Sequence, residues 1–393
     1  MAHSDENKQN SSLKQGVMVT FTIFCGLLSL LLLLLLLSGS GDTSAVGSSQ
    51  GGSYALMDQF DMAVGNALSD ALEGIRSVKK VYFLPDDSAP APRPDPEKMG
   101  SCASSGEMEE ILGMASRQFD GEKFVFSKDT ELLPGSAVRY YLDDSIFSVS
   151  WKQPIEGCVY SFAEVRIGHP SQFRRLLSGG SYGSGVLYTP SQMAASANAV
   201  TASSGDYYAY RSKGVVVHDG TTFRVRGDRM DTCFIDDQGD LLLLPANAHE
   251  LDSVETVQAY VDDHHVRFGL CFGPILLENG ELIRQQDYPV GEIFRNYSRA
   301  ALCQQGKLHY LLVTANLEHG YPNTPTIPQF ARNLQKMGIQ RAYALDGGQT
   351  ATLIANEEIV NKISYGNERK VSDIIYFATA IPEKKEKGDP ADG

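Results

Sequence analysis

Three carboxylates and three arginines in this chain sit where a strand-like run meets a turn. In "YALDGGQTATL", an apolar run ends in Asp346, Gly347 and Gly348, followed by Gln349 and Thr350. Asp346 is thereby placed at the C-terminal end of a strand. The two glycines make a turn that a ligand can approach closely enough to meet backbone N–H groups. Thr350 adds a hydroxyl. The same residues also fit a plain Gly-rich turn whose Asp caps an amide. In "SGDYYAYR", Asp206, Tyr207, Tyr208, Tyr210 and Arg211 lie close together. Tyrosine offers a flat apolar face and a polar tip, which suits a sugar ring. Asp206 can bond hydroxyls or act on a glycosidic oxygen, and Arg211 can hold a phosphate by paired N–H bonds. The competing reading is a strand with alternately buried tyrosines and a turn Asp. Arg299 in "NYSRAAL" and Arg369 beside Glu368 in "GNERKVSD" each precede an apolar strand. A planar guanidinium suits a fixed phosphate contact; a surface salt bridge contributing roughly 0–1 kcal/mol is the plain alternative. "DDHH" (Asp262 to His265) has metal-ligand residue types without metal-ligand spacing, and reads as a turn.

The elements that must position these groups are mainly short strands. Asp219-Gly220, Asn279-Gly280 and Gln238-Gly239 separate apolar runs and predict hairpins. One helix is well marked. Thr326 is its N-cap, Pro328 lies in the first turn and Gln329 completes a capping box. Phe330, Leu334 and Met337 form its apolar stripe, and Gly338 stops it. Weaker helical patterns cover Gln192 to Ala197 and Ala246 to Val261. The expected class is α+β: a mixed, hairpin-rich sheet with a few packed helices, preceded by one transmembrane helix.

That transmembrane expectation rests on Val17 to Leu37, a stretch without a charged residue. At 1.5 Å per residue it reaches about 31 Å, enough to cross a bilayer. Lys8 and Lys14 precede it and no Lys or Arg follows until Arg76, which predicts a cytoplasmic N-terminus. A cleaved signal peptide is the alternative, but its apolar core is usually shorter. The expected organisation is a cytoplasmic segment 1–16 and an anchor 17–38. A juxtamembrane helix and Pro-rich linker follow over 39–123, then a main domain 124–381 and a charged tail 382–393. The formal net charge of -14 and the lack of a basic block argue against nucleic acid as a partner. Cys102, Cys158, Cys233, Cys271 and Cys303 lie beyond the anchor. With no CxxC and no zinc spacing, they read as buried thiols; a disulfide at Cys102 has no support.

Taken in order, "SGDYYAYR", "GVVVHDG", "FGPILLENGEL", "NYSRAAL", the capped helix, "LDGGQTATL" and "GNERKVSDIIYF" resemble the phosphodiester glycosidase family over roughly Phe162 to Ala380. The resemblance implies an extracytoplasmic hydrolase that cleaves the glycosidic bond of a sugar-1-phosphodiester in a cell-surface glycan. It implies no cofactor, with a divalent metal left open. Its departures are Ser204 where the family has Asn, Gln349 where it has a third Gly, and Ser298-Arg299-Ala300 where it has Pro-Arg-Thr. These leave the sugar unassigned. Asp346, Asp206 and Glu368 are the candidate catalytic carboxyls. Arg299, Arg369 and Arg211 are the candidate phosphate contacts, with Tyr207, Gly347, Gly348 and Thr350 shaping the pocket. A non-catalytic glycan-binding or envelope-assembly protein and a P–O-cleaving phosphodiesterase are the alternatives.

Overall fold

Strand formation follows the period-two apolar pattern of the sequence. Along Cys158–Ile167, Tyr160 and Phe162 enter one core cluster while Ala163, Val165 and Ile167 enter another. The computed structural model describes residues 82–84, 90–226, 230–284, 288 and 292–382, all within one compact unit. The Val17–Leu37 span and the juxtamembrane helical pattern lie outside the described residues. No helix among the described residues is long and apolar enough to cross a membrane.

Four α-helices and four sheets make up the described residues. A two-stranded ribbon pairs β1 (Tyr82–Phe83) with β21 (Ile381–Pro382). The largest sheet contains β2 (Met99–Cys102), β3 (Val138–Leu142), β4 (Ile146–Ile155), β5 (Cys158–Ile167), β13 (Ile275–Glu278), β14 (Glu281–Leu282), β15 (Arg299–Gly306), β16 (His309–Asn316) and β17 (Arg341–Leu345). Its spatial order is β14-β13-β17-β15-β16-β5-β4-β3-β2. A second sheet joins β8 (Gly214–His218), β9 (Thr221–Arg226), β10 (Thr232–Asp236), β11 (Leu241–Leu244) and β12 (Val266–Leu270) in the order β11-β10-β12-β8-β9. A third joins β6 (Phe173–Leu177), β7 (Thr201–Ser204), β18 (Leu353–Ala355), β19 (Glu358–Ile359) and β20 (Asp373–Phe377) in the order β19-β18-β7-β20-β6. One core cluster draws on all three sheets, through residues such as Val165, Leu312, Phe268, Leu353 and Phe377. Another packs α1 (Glu109–Gln118) and α4 (Ile327–Lys336) against the nine-stranded sheet, with Ala115, Phe330 and Leu334 buried beside Trp151, Phe162 and Val313. The remaining helices, α2 (Pro190–Ser196) and α3 (Val254–Asp263), cover the third and second sheets through Met193 and Val257.

The three predicted turns pair as expected, β8 with β9, β13 with β14 and β10 with β11. Asp219-Gly220 and Asn279-Gly280 both have positive φ at their two residues, the geometry that matches strand twist. The α4 capping box and the positive φ of Gly338 are also present. Two expectations are corrected. The sheets are not mixed: every strand pairing among the described residues is antiparallel, because the parallel strands that a helix joins, such as β16 and β17 across α4, are separated by a strand antiparallel to both, here β15. The helical pattern over 246–261 is divided, because Ser253 is extended and accepts the Thr256 N–H as the N-cap of α3; only a short 3₁₀ turn, His249–Leu251, precedes it. The nine-stranded sheet also takes in β2, from the part of the sequence read as linker.

Candidate active site

Five strand ends from the three sheets converge on one place: the C-terminal ends of β17, β7 and β12 and the N-terminal ends of β15 and β20. Backbone bonds fasten them. Asp346 N–H donates to Gly205 O at 2.9 Å, Gly348 N–H to Ser298 O at 2.7 Å and Gly205 N–H to Asp373 O at 3.1 Å. The two apolar runs on either side of the Asp346 turn, β17 and β18, do not pair with each other. β17 belongs to the nine-stranded sheet and β18 to the third, so the Asp346 turn carries the chain from one sheet to another. That crossing explains its glycines. A Cβ on Gly347 would stand 2.6 Å from Ser298 O, and Gly348 has φ 63°.

The ends enclose a cavity of about 290 Å³. Asp346, Gly347, Gly348 and Gln349 line it. Tyr207, Arg211, Phe272, Arg369, Glu292, Tyr297 and Arg299 also line it. Asp346 is only 6% exposed, and its Oδ2 has no hydrogen-bond partner. Burial pushes its carboxyl from the ordinary 3.8 up to about 7. The Thr350 side chain and the Arg369 and Arg211 guanidiniums oppose the shift, while Asp206 adds to it. A buried carboxyl oxygen left unbonded is costly unless the site uses it.

The arginines are held differently. Arg299 is buried, with Nε donating to Pro325 O at 3.2 Å and Nη2 to Glu292 O and Arg295 O at 3.0 and 2.6 Å. Burial lowers its pKa to about 10, which leaves it charged at neutral pH. Arg211 donates to Phe272 O at 3.2 Å and lies over the Phe272 ring at 4.8 Å. Arg369 lies over Tyr210 at 4.4 Å and Tyr207 at 5.4 Å, two rings stacked 5.0 Å apart, and reaches Tyr207 Oη at 3.3 Å. Arg299 also lies over the Tyr297 ring at 5.6 Å, so an aromatic face supports each of the three guanidiniums.

Not every nominated residue reaches the cavity. Asp206 is buried behind the wall, where its oxygens accept the Tyr207 and Cys271 N–H groups at 2.7 and 2.8 Å. Glu368 is not a lining residue; its carboxylate accepts the Ser191 N–H at 2.9 Å and the Ser191 hydroxyl in the first turn of α2. Thr350 is also off the lining and donates its hydroxyl to Gly347 O, closing the turn. Sequence reasoning did not select Glu292, a lining carboxylate with φ 76° whose Oε1 accepts from Tyr297 Oη at 3.2 Å. Nor did it select Arg175 and Asp373, a fully buried ion pair beside Asp206. The signal for Arg175 was a charged pair inside the apolar run "FRRLL". Asp262 and Asp263 end α3, His264 caps it and His265 follows at φ 52°; no group of three or more His, Cys, Asp or Glu among the described residues could hold a metal. All five described cysteines are free.

Among solved structures, the chain is similar to a hypothetical protein from Synechocystis, with 14% identity and a TM-score of 0.48, over 62% of this chain and 64% of that one. It is also similar to the zebrafish N-acetylglucosamine-1-phosphodiester alpha-N-acetylglucosaminidase catalytic domain auto-inhibited by its pro-peptide, with 15% identity and a TM-score of 0.48, over 67% of this chain and 92% of that one. No curated protein matches. Residues 197–378, a span that contains every residue lining the cavity, match the phosphodiester glycosidase family (NAGPA).

Proposed function

We propose that the cavity hydrolyses the glycosidic bond of a sugar-1-phosphodiester. The observation that carries this reading is the gathering of Arg211, Arg299 and Arg369 with a protonatable Asp346 in one cavity of a chain whose net charge is -14. Three guanidiniums favour an anion, and the family match over 197–378 supports a phosphodiester. In its ionised form Asp346 takes a proton from water. The water oxygen bonds to the anomeric carbon, and the carbon–oxygen bond breaks with its electron pair passing to the phosphate oxygen. Glycosidases ordinarily supply a second carboxyl as acid. Here the leaving phosphate is itself a weak base, and the arginines stabilise the charge it gains. Glu292 offers an acceptor for a sugar hydroxyl.

Hydrolysis in oxygen-18 water tests the reading. The label should enter the sugar. Label in the phosphate would make the protein a P–O-cleaving phosphodiesterase, and binding of the diester without turnover a glycan-binding protein. The Val17–Leu37 span further leads us to place the N-terminus in the cytoplasm and the hydrolase outside, acting on a cell-surface glycan. Protease added to intact cells should then remove the domain; full protection would refute that placement.

A further inference from the structure

Behind the cavity wall lies a buried cluster that the proposed chemistry does not use. Asp206, Asp373 and Arg175 are 1%, 0% and 5% exposed. Arg175 Nε donates to Asp373 Oδ2, and Arg175 Nη2 stands 3.7 Å from Asp206 Oδ2. Arg175 Nη1 reaches across to the second sheet, donating to Val217 O at 3.0 Å and Gly269 O at 2.7 Å. Asp373 Oδ1 accepts the Asp206 N–H at 2.6 Å. It comes so close to the chain that a Cβ on Gly205 would stand 2.6 Å from it. Both carboxylates accept bonds from their neighbours, and one guanidinium faces the two of them.

We propose that Asp206 is a positioning residue for this site. Its Oδ1 fixes Tyr207 and its Oδ2 fixes Cys271, the residue before Phe272, so one carboxylate sets the spacing of both aromatic walls. These are the walls on which Arg211 lies, 5.6 Å from the Tyr207 centroid and 4.8 Å from that of Phe272. The residue before Asp206 accepts the Asp346 N–H, so its charge is also held close behind Asp346. The charged groups acting on Asp346 are then Arg369 and Arg211 from the cavity side and Asp206 from behind. Glu292 and Arg299 also line the cavity. Asp206 is the one whose charge opposes ionisation of Asp346.

The inference rests on Asp346 being the proton-transfer group, but its test does not depend on turnover. Asp206→Asn keeps one acceptor and turns an amide N–H₂ toward a backbone N–H, so one wall is released. With the charge gone, the carboxyl carbon-13 titration of Asp346 should move toward acid by about one pH unit. The alkaline-rising limb of the kcat profile should move with it, and KM should rise at least tenfold. A folded Asp206→Asn protein with the Asp346 titration and KM of wild type would overturn the proposal. If the wild type hydrolyses nothing, the functional reading fails while the titration shift still decides this one. Should Asp206→Asn not fold, amide hydrogen exchange in the wild type decides. Protection of Tyr207 and Cys271 equal to that of β12 supports the proposal, and exchange at open-loop rates overturns it.

Discussion

Asp346 and Asp206 are the same side chain in the same kind of place, just beyond the C-terminal end of a buried strand and close to a glycine. Their fates differ in one respect. Asp206 has backbone N–H groups at both oxygens and a guanidinium nearby, whereas Asp346 keeps an oxygen without a partner inside a cavity. Burial of a carboxylate is tolerable when its lone pairs are met and costly when they are not. The difference therefore separates a group that stabilises the fold from one that the fold holds at a cost, and the second kind is where chemistry is expected.

The largest effect should come from Asp346→Asn, which preserves shape and removes the titrating group. Turnover of a sugar-1-phosphodiester should fall by about 10²–10⁴-fold, the range for a lost acid–base group. A folded variant with near wild-type turnover would reduce Asp346 to a turn residue and erase the contrast with Asp206.

The same substitution should act on stability in the opposite sense. With Asp346 raised from 3.8 to about 7, the folded protein keeps a proton that the unfolded chain releases. The stabilisation from that proton is complete below about pH 4 and gone once pH passes about 7. Asn carries no such dependence. At pH 8, Asp346→Asn should be more stable than wild type by up to about 4 kcal/mol, and the gap should narrow as the pH falls to 4. Urea unfolding at the two pH values measures this. An equal gap at both, or a less stable variant at pH 8, would mean that Asp346 is as well satisfied as Asp206.

A smaller change should follow at Gly347, where the turn crosses between sheets. Its neighbour Ser298 O leaves no room for a Cβ, so Gly347→Ala must push the Asp346 turn away from β15. Overpacking of this kind typically costs about 1–3 kcal/mol. Turnover should fall with stability, unlike the Asp346→Asn result. Unchanged melting and turnover would show that the turn has slack and that Asp346 is not held by it.

How far the sequence disclosed this arrangement depended on the range of the interaction. Asp219-Gly220, Asn279-Gly280 and the Thr326 capping box are complete within a few residues, and the elements they imply are present. The division of the helical pattern at Ser253 was missed because a 3.6-residue apolar repeat continues through a residue that prefers the N-cap. The crossing of the Asp346 turn from one sheet to another depends on strands that pair far away in sequence, and two apolar runs around a turn look alike whether or not they pair. Among the nominated residues, the three arginines, Tyr207 and Asp346 line the cavity; they stood out because their residue types contrast with the apolar runs beside them. Asp206 and Glu368 carry the same contrast, and only the structure shows that their oxygens are engaged, by Tyr207 and Cys271 and by Ser191, off the cavity lining. Glu292 gave no contrast, being one acid in an exposed polar segment.

Glu368 offers the smallest expected effect and the control for the whole comparison. Like Asp206, its oxygens are engaged, here by the backbone and hydroxyl of Ser191 in the first turn of α2. Unlike Asp206, it is half-buried; it is off the cavity lining, while its neighbour Arg369 is on it. Glu368→Gln keeps an acceptor for Ser191 and loses the charge that favours a helix N-terminus. The loss of stability should be about 1 kcal/mol or less. Turnover should change less than about tenfold, because Arg369 is held independently by the Tyr207 and Tyr210 rings. Thermal unfolding and diester hydrolysis by the same preparation measure both. A hundredfold loss of turnover without loss of stability would place Glu368 in the chemistry. Engagement of both oxygens would then no longer distinguish a carboxylate that builds the site from one that works in it.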